Sequence, residues 1–508
     1  MRRALVVNFG GQYAHLIARR LREVGLYAEL VAPEEALESA RSPDVAALVL
    51  SGGPSSVLEG GPGLPREALD VGVPILGICY GHQLLAQTLG GSVERGPGEY
   101  GRTSVRLLVR DPLFDGWSDE ETTWMSHGDY VARPPPGFEV LAVSERGYIA
   151  AMRSRDGRIY GVQFHPEVSH TPKGRLLFEN FVKVVGLRPE ERWDPAAQVP
   201  RIVEEIKRAV GPEERVVIGV SGGIDSTVTA LLVARAIGER AVPIFVNHGL
   251  FREGEPEEVL ETFRRLGIAV KYVDASEEFL RSLEGVADCE ERRRIIGRLF
   301  VDVFARAAAE VPNAKWLAQG TLYPDVIESG AVKGADKIKS HHNVGGLPEK
   351  LGFNLLEPLK QFYKDEVRAI GKALGLPDEV VHRHPFPGPG LAVRVMGKFT
   401  REKLEVARKA SKIVEDVLKR RGLYRGVWQA FAAVGDDKWV GVKGDARAEG
   451  YVVIVRIVES EDAMTADYSR VPYEVLDEIS RRITSEIPSV VMVAYAVTSK
   501  PPSTIEPC

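Results

Sequence analysis

Cysteine is scarce in this chain, which has only Cys79, Cys289 and Cys508 among its 508 residues. Small secreted domains that lack a large core are held together by many paired cysteines, and three widely separated ones do not form such a framework. The first residues, Met1–Val7, read as a strand rather than as a signal peptide. We therefore expect no disulfide framework and a cytoplasmic location.

Long apolar runs and an excess of positive charge are also absent. No apolar run approaches the roughly 20 residues that a helix needs to cross a bilayer. The chain has 66 Lys and Arg against 71 Asp and Glu, a formal net charge of -5, whereas general nucleic-acid binders carry a basic excess. These absences exclude a membrane-spanning protein and lead us to expect neither a membrane nor a nucleic-acid partner.

The length and the pattern of the sequence predict three domains and a linker, since 508 residues exceed what one core supports. Residues 1–187 and 206–383 alternate apolar strand segments with amphipathic helices, which predicts α/β domains with mainly parallel sheets flanked by helices. The polar, proline-containing residues 188–205 are the predicted linker. Residues 384–508 begin with a rigid hinge, His384–Leu391, and mix a long helix with strands, which predicts a smaller α+β domain.

A nucleophilic cysteine is predicted at Cys79, between an apolar strand run and a helical segment. Such a cysteine needs a thiolate, a base, and a carboxylate that orients the base. The sequence Gly-Val-Gln-Phe-His-Pro-Glu supplies the last two groups at His165 and Glu167. Backbone N–H groups at Gly53 and Tyr80 are predicted to form an oxyanion hole. The alternative for a lone cysteine at this position is a small buried apolar side chain.

These residues resemble the class I glutamine amidotransferase domain, and the resemblance covers residues 1–187. It implies that Cys79 attacks the side-chain amide of glutamine, forms a glutamyl thioester and releases ammonia, with His165 as the base. It also implies that Gln83 helps to bind glutamine and that residues 126–129 form a backbone clamp for it.

A second motif follows the strand run 215–220 and opens a predicted helix. It consists of seven consecutive residues, Ser221, Gly222, Gly223, Ile224, Asp225, Ser226 and Thr227. Successive backbone N–H groups and hydroxyls at a helix N-terminus make a cradle for an anion. The motif is not a Walker loop because the Gly-Lys-[Ser/Thr] end is missing. It resembles the PP-loop of ATP pyrophosphatases, which implies that these residues bind ATP and that Asp225 binds Mg²⁺. The alternative for Asp225 is a negative charge in the first turn of a helix.

Four further strings are long and unusual: 319–329, 338–348, 384–392 and 499–506. With the two motifs above, they make the chain similar from end to end to the glutamine-hydrolysing GMP synthase family. The resemblance implies that MgATP adenylates the 2-oxygen of the xanthine ring of XMP, and that ammonia then displaces AMP to give GMP. The implied substrates are therefore glutamine, ATP and XMP.

The same resemblance implies a set of XMP contacts, a homodimer formed through the C-terminal domain, and a lid. The implied XMP-binding residues are Arg293, Gln429, Asp445, Lys500 and Glu506. A basic, glycine-flanked loop with Lys333, Lys337, Lys339 and His341 is predicted to be a lid over phosphates. The alternatives are a solvated helix face for Arg293 with its arginine neighbours, and a solvated basic surface loop for the lid.

Two segments depart from the family pattern. The family usually has Val-Asp-x-Gly-Leu-Leu-Arg where this chain has Asn247 in place of the Asp, so a metal or ribose role at this position is open. The family tail usually ends Ile-Glu-Trp-Glu, whereas this chain reads Ile505-Glu506-Pro507-Cys508. The role of the last two tail residues is therefore open.

Three other functional classes are weighed against this hypothesis. A tRNA sulfur-insertion enzyme would need paired cysteines near the PP-loop and a basic RNA face, but the chain has one cysteine there, Cys289, and a negative net charge. An NAD or asparagine synthetase should lack the Pro-Phe-Pro-Gly-Pro and Lys-Pro-Pro-x-Thr-Ile-Glu strings. A non-catalytic scaffold should not need the intact Cys79, His165, Glu167 and PP-loop.

Overall fold

The computed structural model describes residues 2–328, 352–460 and 465–508. These residues form two compact units, the first containing 2–194 with 324–328 and the second containing the others. None of the helices within these ranges is long and apolar enough to cross a membrane. The predicted lid residues Lys333, Lys337, Lys339 and His341 lie outside the described residues.

The first unit is built on one nine-stranded sheet. Its strands are β1 (Arg3–Val7), β2 (Tyr27–Val31), β3 (Val45–Leu50), β4 (Ile75–Ile78), β5 (Ser92–Leu107), β6 (Glu120–Arg133), β7 (Phe138–Ser144), β8 (Ile149–Ser154) and β9 (Ile159–Val162). Its helices are α1 (Ala14–Glu23), α2 (Ala36–Ala40), α3 (Tyr80–Thr88) and α4 (Gly174–Val185). The strand order is β2-β1-β3-β4-β9-β8-β7-β5-β6.

Half of this sheet is parallel and half antiparallel. Strands β2, β1, β3, β4 and β9 run parallel to one another, and β8, β7, β5 and β6 continue in antiparallel pairs. Every residue of β3 and β4 is buried, as expected for parallel strands covered by helices on both faces. The turns at the carboxyl ends of such strands are where α/β proteins place their ligand sites, and Cys79 directly follows β4.

The second unit contains an entirely parallel five-stranded sheet in the order β12-β11-β10-β13-β14. The strands are β10 (Arg215–Gly219), β11 (Ala241–Asn247), β12 (Lys271–Asp274), β13 (Ala314–Ala318) and β14 (Asn354–Leu356). The helices are α5 (Val199–Ala209), α6 (Ile224–Ile237), α7 (Glu255–Arg265), α8 (Ser276–Leu283), α9 (Cys289–Ala309), α11 (Lys364–Ala373) and α12 (Asp378–Val381). Helix α10 (Tyr323–Glu328) begins at Tyr323 of this unit, and its remaining residues belong to the first unit. Helix α5 begins inside the predicted linker, where Val199 and Ile202 are buried at helical spacing.

The C-terminal part of the second unit adds a four-stranded sheet and two helices. These elements are α13 (Arg401–Arg420), β15 (Gln429–Lys443), β16 (Ala446–Glu459), β17 (Asp467–Tyr468), α14 (Tyr473–Glu486) and β18 (Val490–Tyr495). Strands β15 and β16 form a long antiparallel hairpin, and β18 pairs with β16 in parallel. One hydrophobic core includes Val217 of β10, Phe304 of α9, Val414 of α13 and Val455 of β16. The predicted hinge is packed into this core at Leu391.

The structure contains a disulfide between Cys289, at the start of α9, and Cys508. The expectation from the cysteine spacing was therefore wrong for this pair. A separation of 219 residues along the sequence does not limit the distance after folding, because the C-terminal tail returns to the start of α9. Cys79 is a free, buried thiol.

Candidate active sites

Cys79 occupies a sharp turn between β4 and α3. It has a φ of 52°, a conformation that non-glycine residues rarely adopt outside functional sites. Its N–H donates to the carbonyl of Val162 at the end of β9 (2.8 Å), so the neighbouring parallel strand fixes the turn. The Cys79 side chain is only 5% exposed, and its sulfur lies 3.7 Å from the carbonyl oxygen of Ser126. The fold thus presents this thiol from the carboxyl end of β4.

His165 and Glu167 form a buried pair beside this thiol. The imidazole Nδ1 of His165 lies 2.7 Å from a carboxylate oxygen of Glu167, and the two residues are 5% and 0% exposed. Burial lowers the pKa of His165, but the negative charges of Glu167 and Cys79 outweigh it and hold that pKa well above the ordinary 6.5. With Nδ1 bonded to Glu167, the other ring nitrogen is left for the cysteine. The three predicted residues therefore lie together, and the raised pKa favours the charged form of His165.

A second histidine near the nucleophile has the opposite electrostatics. His82 lies on helix α3 and is completely buried, and desolvation lowers its pKa to about 3. Its Nε2 lies 3.2 Å from the carbonyl oxygen of Ile149. His82 is therefore neutral and is a structural part of the helix packing. His165 is the histidine with the charge that a thiolate requires.

The Gly52–Gly53 turn leaves room for the site because neither residue has a side chain. A Cβ on Gly52 would lie 3.1 Å from the His165 ring, and a Cβ on Gly53 would lie 2.7 Å from the carbonyl oxygen of Phe9. The turn therefore brings backbone close to Cys79, as an oxyanion hole requires. Tyr80, the other predicted donor, is the first residue of α3, where a backbone N–H has no partner within the helix.

The predicted glutamine-binding residues lie along β6 and α3. The amide nitrogen of Gln83 donates to the carbonyl oxygen of Asp129 (2.7 Å), and Nδ1 of His127 bonds to the same oxygen (2.8 Å). Nε2 of His127 faces Glu99 at 3.1 Å. Burial raises the pKa of the Glu99 carboxyl, but the hydrogen bond from His127 outweighs this and keeps that pKa below its ordinary value. These contacts fix the backbone of residues 126–129 next to the Cys79 sulfur.

The predicted PP-loop is a tight turn between β10 and α6. Gly222 has a φ of 78°, and a Cβ there would lie 2.3 Å from the side chain of Val259, so the turn requires glycine. The hydroxyls of Ser226 and Thr227 donate to the carbonyl of Gly223 (3.1 and 2.8 Å), and the N–H of Ser221 donates to the Ser226 hydroxyl (3.3 Å). The loop combines backbone N–H groups with hydroxyls at a helix N-terminus, as anion cradles do.

Asp225 and Lys364 add both signs of charge to this loop. The ammonium group of Lys364, at the start of α11, lies 3.3 Å from a carboxylate oxygen of Asp225. Gly320 packs against the backbone of Asp225: a Cβ added to Gly320 would lie 3.0 Å from the backbone carbonyl carbon of Asp225. In the described parts of the chain no three His, Cys, Asp or Glu side chains form a metal cage. A single carboxylate beside bound phosphates is how proteins commonly hold Mg²⁺, so Asp225 fits that role.

Four of the five predicted XMP-binding residues lie on the C-terminal tail or contact it. The amide nitrogen of Gln429 donates to the carboxylate of Glu506 (2.6 Å), and Arg293 donates to the carbonyl oxygen of Cys508 (2.6 Å). Lys500 lies on the same tail and bridges to Ala466.

Asp445 is not part of this group. It lies in the exposed turn at the tip of the β15–β16 hairpin, whereas Gln429 begins the 15-residue strand β15 at the other end. Asn247, the departure from the family pattern, makes a turn in which its side-chain oxygen accepts from Gly249 N–H (3.0 Å). Its amide nitrogen donates to the Tyr272 hydroxyl (2.9 Å).

Sequence reasoning missed two basic residues of the second unit. Arg394 has a fully buried side chain whose guanidinium bonds to both carboxylate oxygens of Glu506 (3.0 and 3.2 Å). Lys364 faces Asp225, although 139 residues separate them. The only sequence signal for Arg394 was its position just after the Pro-Gly-rich string 384–392. The absence of a lysine in the PP-loop was an indirect signal for Lys364.

Comparisons with known families divide the chain in the same way as the motifs. Residues 5–185 match the family described as glutamine amidotransferase class-I. Residues 198–296, which contain the PP-loop, match NAD synthase, and residues 416–507 match the GMP synthase C-terminal domain. The first match contains Cys79, His165 and Glu167.

Curated relatives match over the full length. A glutamine-hydrolysing GMP synthase from Pyrobaculum aerophilum is 66% identical and covers 100% of this chain and 100% of its own length. Those of Aeropyrum pernix and Aquifex aeolicus are 52% and 50% identical, and each covers 99% of this chain and 98% of its own length. Identity of this extent across both units distinguishes the family from the other enzymes that share a PP-loop. The chain belongs to the glutamine-hydrolysing GMP synthase family.

Proposed function

We propose that this enzyme makes GMP from XMP, ATP and glutamine by two reactions carried out at separate sites. The observation that carries the proposal is the presence of two complete constellations in one chain: a buried Cys79–His165–Glu167 triad and a PP-loop at residues 221–227. The first suits nitrogen release from an amide, and the second suits binding of ATP phosphates.

At the first site the Cys79 thiolate attacks the amide carbon of glutamine. The negative charge that develops on the amide oxygen is stabilised by the N–H groups of Gly53 and Tyr80. His165, which carries its proton because of Glu167, gives that proton to the departing nitrogen, and ammonia leaves. Water then attacks the thioester with His165 as the base, and glutamate is released. Gln83 contributes by fixing residues 126–129 against the bound glutamine.

At the second site the 2-oxygen of XMP attacks the α-phosphorus of ATP, and pyrophosphate leaves. The backbone N–H groups and hydroxyls of residues 221–227 hold the pyrophosphate, and Lys364 adds a positive charge. Asp225 would hold Mg²⁺, which supplies charge neutralisation for the phosphates. Ammonia then attacks carbon 2 of the ring and AMP leaves as the adenylated oxygen departs. An unactivated ring oxygen is a poor leaving group, which is why ATP is required.

We assign XMP binding to Arg293, Gln429, Lys500 and Glu506. Arginine suits a nucleotide monophosphate because its planar group donates to two oxygens at once. Asp445 lies at the other end of the β15 strand from Gln429, so a contact between Asp445 and the same XMP molecule is not supported within one chain.

We further propose a homodimer formed through the C-terminal part of the second unit. Three apolar side chains on the β15 hairpin arm are more than half exposed: Trp439 (54%), Val440 (51%) and Val442 (76%). A patch of this kind is a common sign of a protein interface. Sedimentation of the wild type against Val442→Asp tests this assembly, since a charge in a dimer interface should produce monomers. The cytoplasmic location stays a prediction from the sequence.

The experiment that tests the reaction is product analysis with XMP, MgATP and either glutamine or ammonium chloride. We expect GMP, AMP and pyrophosphate in equal amounts with both nitrogen donors. Cleavage of ATP to AMP without GMP would retain the PP-loop chemistry and overturn XMP as the acceptor. Omission of Mg²⁺ should stop the reaction with either donor but leave glutamine hydrolysis at its basal rate.

A further inference from the structure

The C-terminal tail is bonded to helix α9 by the disulfide between Cys508 and Cys289. Their Cα atoms are 5.8 Å apart, within the range that disulfides ordinarily span. Both cysteines are partly buried. Where the family usually has Trp-Glu, this chain has Pro507 and Cys508. One cysteine of the disulfide, Cys508, is therefore a residue at which this chain differs from the usual family sequence.

The tail ahead of Cys508 carries a predicted XMP contact and has its own polar contacts. The guanidinium of Arg456 donates to three tail carbonyls, those of Thr498, Thr504 and Ile505 (2.9 Å each). Glu506 bonds to the buried Arg394 and to Gln429. Glu506 therefore lies between a set of hydrogen bonds on one side and the disulfide, two residues later, on the other.

Two arginines connect the disulfide to the rest of this region. Arg292 is 2% exposed, and its guanidinium lies 3.7 and 3.8 Å from the two sulfurs. The same group donates to the carbonyls of Ala392 and Val395 (2.8 and 2.5 Å), on either side of Arg394. Arg293 donates to the carbonyl oxygen of Cys508. A continuous series of contacts therefore runs from the disulfide to the groups that hold Glu506.

We propose that Cys289 and Cys508 are positioning residues for XMP binding: their disulfide holds Glu506 and Arg293 in place, so that XMP affinity depends on the redox state of the pair. This inference rests on the proposed function, because it takes Glu506 and Arg293 to contact XMP. Reduction by a dithiol breaks the S–S bond and gives two thiols, while the dithiol becomes a disulfide. Oxidation by a small-molecule disulfide reverses this exchange.

Loss of the disulfide leaves the tail with its hydrogen bonds alone. Pro507 is exposed, and Cys508 would then be held by its contacts to Arg292 and Arg293 without a covalent bond, so the tail samples other positions. Apparent affinity falls in proportion to the fraction of molecules with the tail in the binding position. Cys79 lies in the other unit and is 5% exposed, so a reduced nucleophile and an oxidised tail can exist in one molecule.

The test is calorimetric XMP binding to the wild type before and after a dithiol, and to Cys508→Ser and Cys289→Ser, with GMP synthesis from ammonium measured in parallel. With ammonium as the nitrogen donor, GMP synthesis does not depend on Cys79. We expect the XMP dissociation constant and KM to rise about tenfold in the reduced wild type and in both variants, if the released tail occupies its position about a tenth of the time. The kcat at saturating XMP should not change. Addition of dithiol to either variant should have no further effect.

Ser485→Ala, on the exposed end of α14, is the control for loss of a small side-chain group and should keep wild-type affinity and its response to dithiol. Circular dichroism verifies that the variants are folded. Equal XMP affinity in the oxidised wild type, the reduced wild type and both variants would overturn the inference. So would peptide mapping that finds Cys289 and Cys508 unpaired in protein treated with a small-molecule disulfide. Redox-dependent XMP binding without GMP formation would leave this inference intact and overturn the proposed reaction instead.

Discussion

The two candidate sites differ in how much of their chemistry is already assembled in the folded chain. Cys79, His165 and Glu167 are all at most 5% exposed, and His165 and Glu167 are directly hydrogen-bonded. In the PP-loop, by contrast, Ser221 and Gly223 are exposed, and the loop hydroxyls bond to each other and to loop backbone. The first site is preassembled, whereas in the second the hydroxyls bond within an exposed loop.

The difference follows from what each substrate brings. The glutamine amide is neutral, so the protein must supply the charges, and it does so by burying an ion pair where water cannot screen it. ATP brings several negative charges of its own, so the loop needs donors and little fixed charge. Charged side chains are therefore buried at the site where the protein supplies the reacting ion, the Cys79 thiolate, and not at the site where the substrate carries the charge.

The largest effect is expected from Cys79→Ala. Glutamine-dependent GMP synthesis should fall by about 10⁴-fold or more, because the nucleophile is lost and nothing in the site replaces it. Synthesis from ammonium should continue at the wild-type rate, because the PP-loop belongs to the other unit. Measurement of GMP by chromatography with each nitrogen donor separates the two activities. Loss of both activities in a folded variant would show that the two sites are not independent.

Glu167→Gln should have a smaller effect on the same site. We expect glutamine hydrolysis to fall about 10³-fold, because the amide no longer stabilises the charged imidazole. The charge of Glu167 raises the pKa of His165, so His165 loses its proton only as the pH rises through that raised value. Without the carboxylate the pKa falls, and the alkaline limit of glutaminase activity should move to lower pH.

The matched control for this change is Glu179→Gln, on the surface of α4, which should leave the glutaminase pH profile unchanged. The ammonium-dependent reaction of Glu167→Gln should show the wild-type pH profile as well. An alkaline limit that stays in place in Glu167→Gln would mean that another group keeps His165 protonated, and the ion-pair description would be wrong.

Asp225→Asn tests the second site and should spare the first. GMP synthesis from glutamine and from ammonium should both fall by about 10²-fold, because our proposal makes Asp225 a charged ligand for Mg²⁺ bound to the phosphates. Basal glutamine hydrolysis should persist. The requirement for Mg²⁺ should also shift to higher concentration, which a titration at saturating ATP measures. Asp477→Asn, an exposed carboxylate on α14, is the control, and an unchanged Mg²⁺ requirement in Asp225→Asn would exclude that residue as a ligand.

The parts of this protein that the sequence predicted are those where chemistry depends on near neighbours. Cys79 with its strand-turn-helix, the His165–Glu167 pair and the PP-loop are short motifs, and their local geometry follows from glycines and apolar runs. The α/β class followed from the alternation of strands and helices. Contacts between distant segments were not predictable in this way: neither Lys364 beside Asp225 nor Arg394 beside Glu506 leaves a periodic or local signal.

The Cys289–Cys508 disulfide is the clearest case of such a contact, and it supplies the last comparison between the units. The second unit has a covalent link that closes 219 residues of chain, whereas Cys79 in the first unit is unpaired. In the chain-entropy treatment a loop of this length gives about 5 kcal/mol of stabilisation, the upper end of what native disulfides contribute.

We therefore expect a dithiol to lower the melting temperature of the second unit by several degrees, about 10 °C at most, and to leave the first unit unchanged. Scanning calorimetry of the wild type with and without dithiol measures both transitions, and Cys508→Ser without dithiol should match the reduced wild type. Because Cys79 is a free thiol in either condition, it cannot account for a difference. A shift confined to the first unit, or one that persists in Cys508→Ser on addition of dithiol, would show that the stabilising group is not this disulfide.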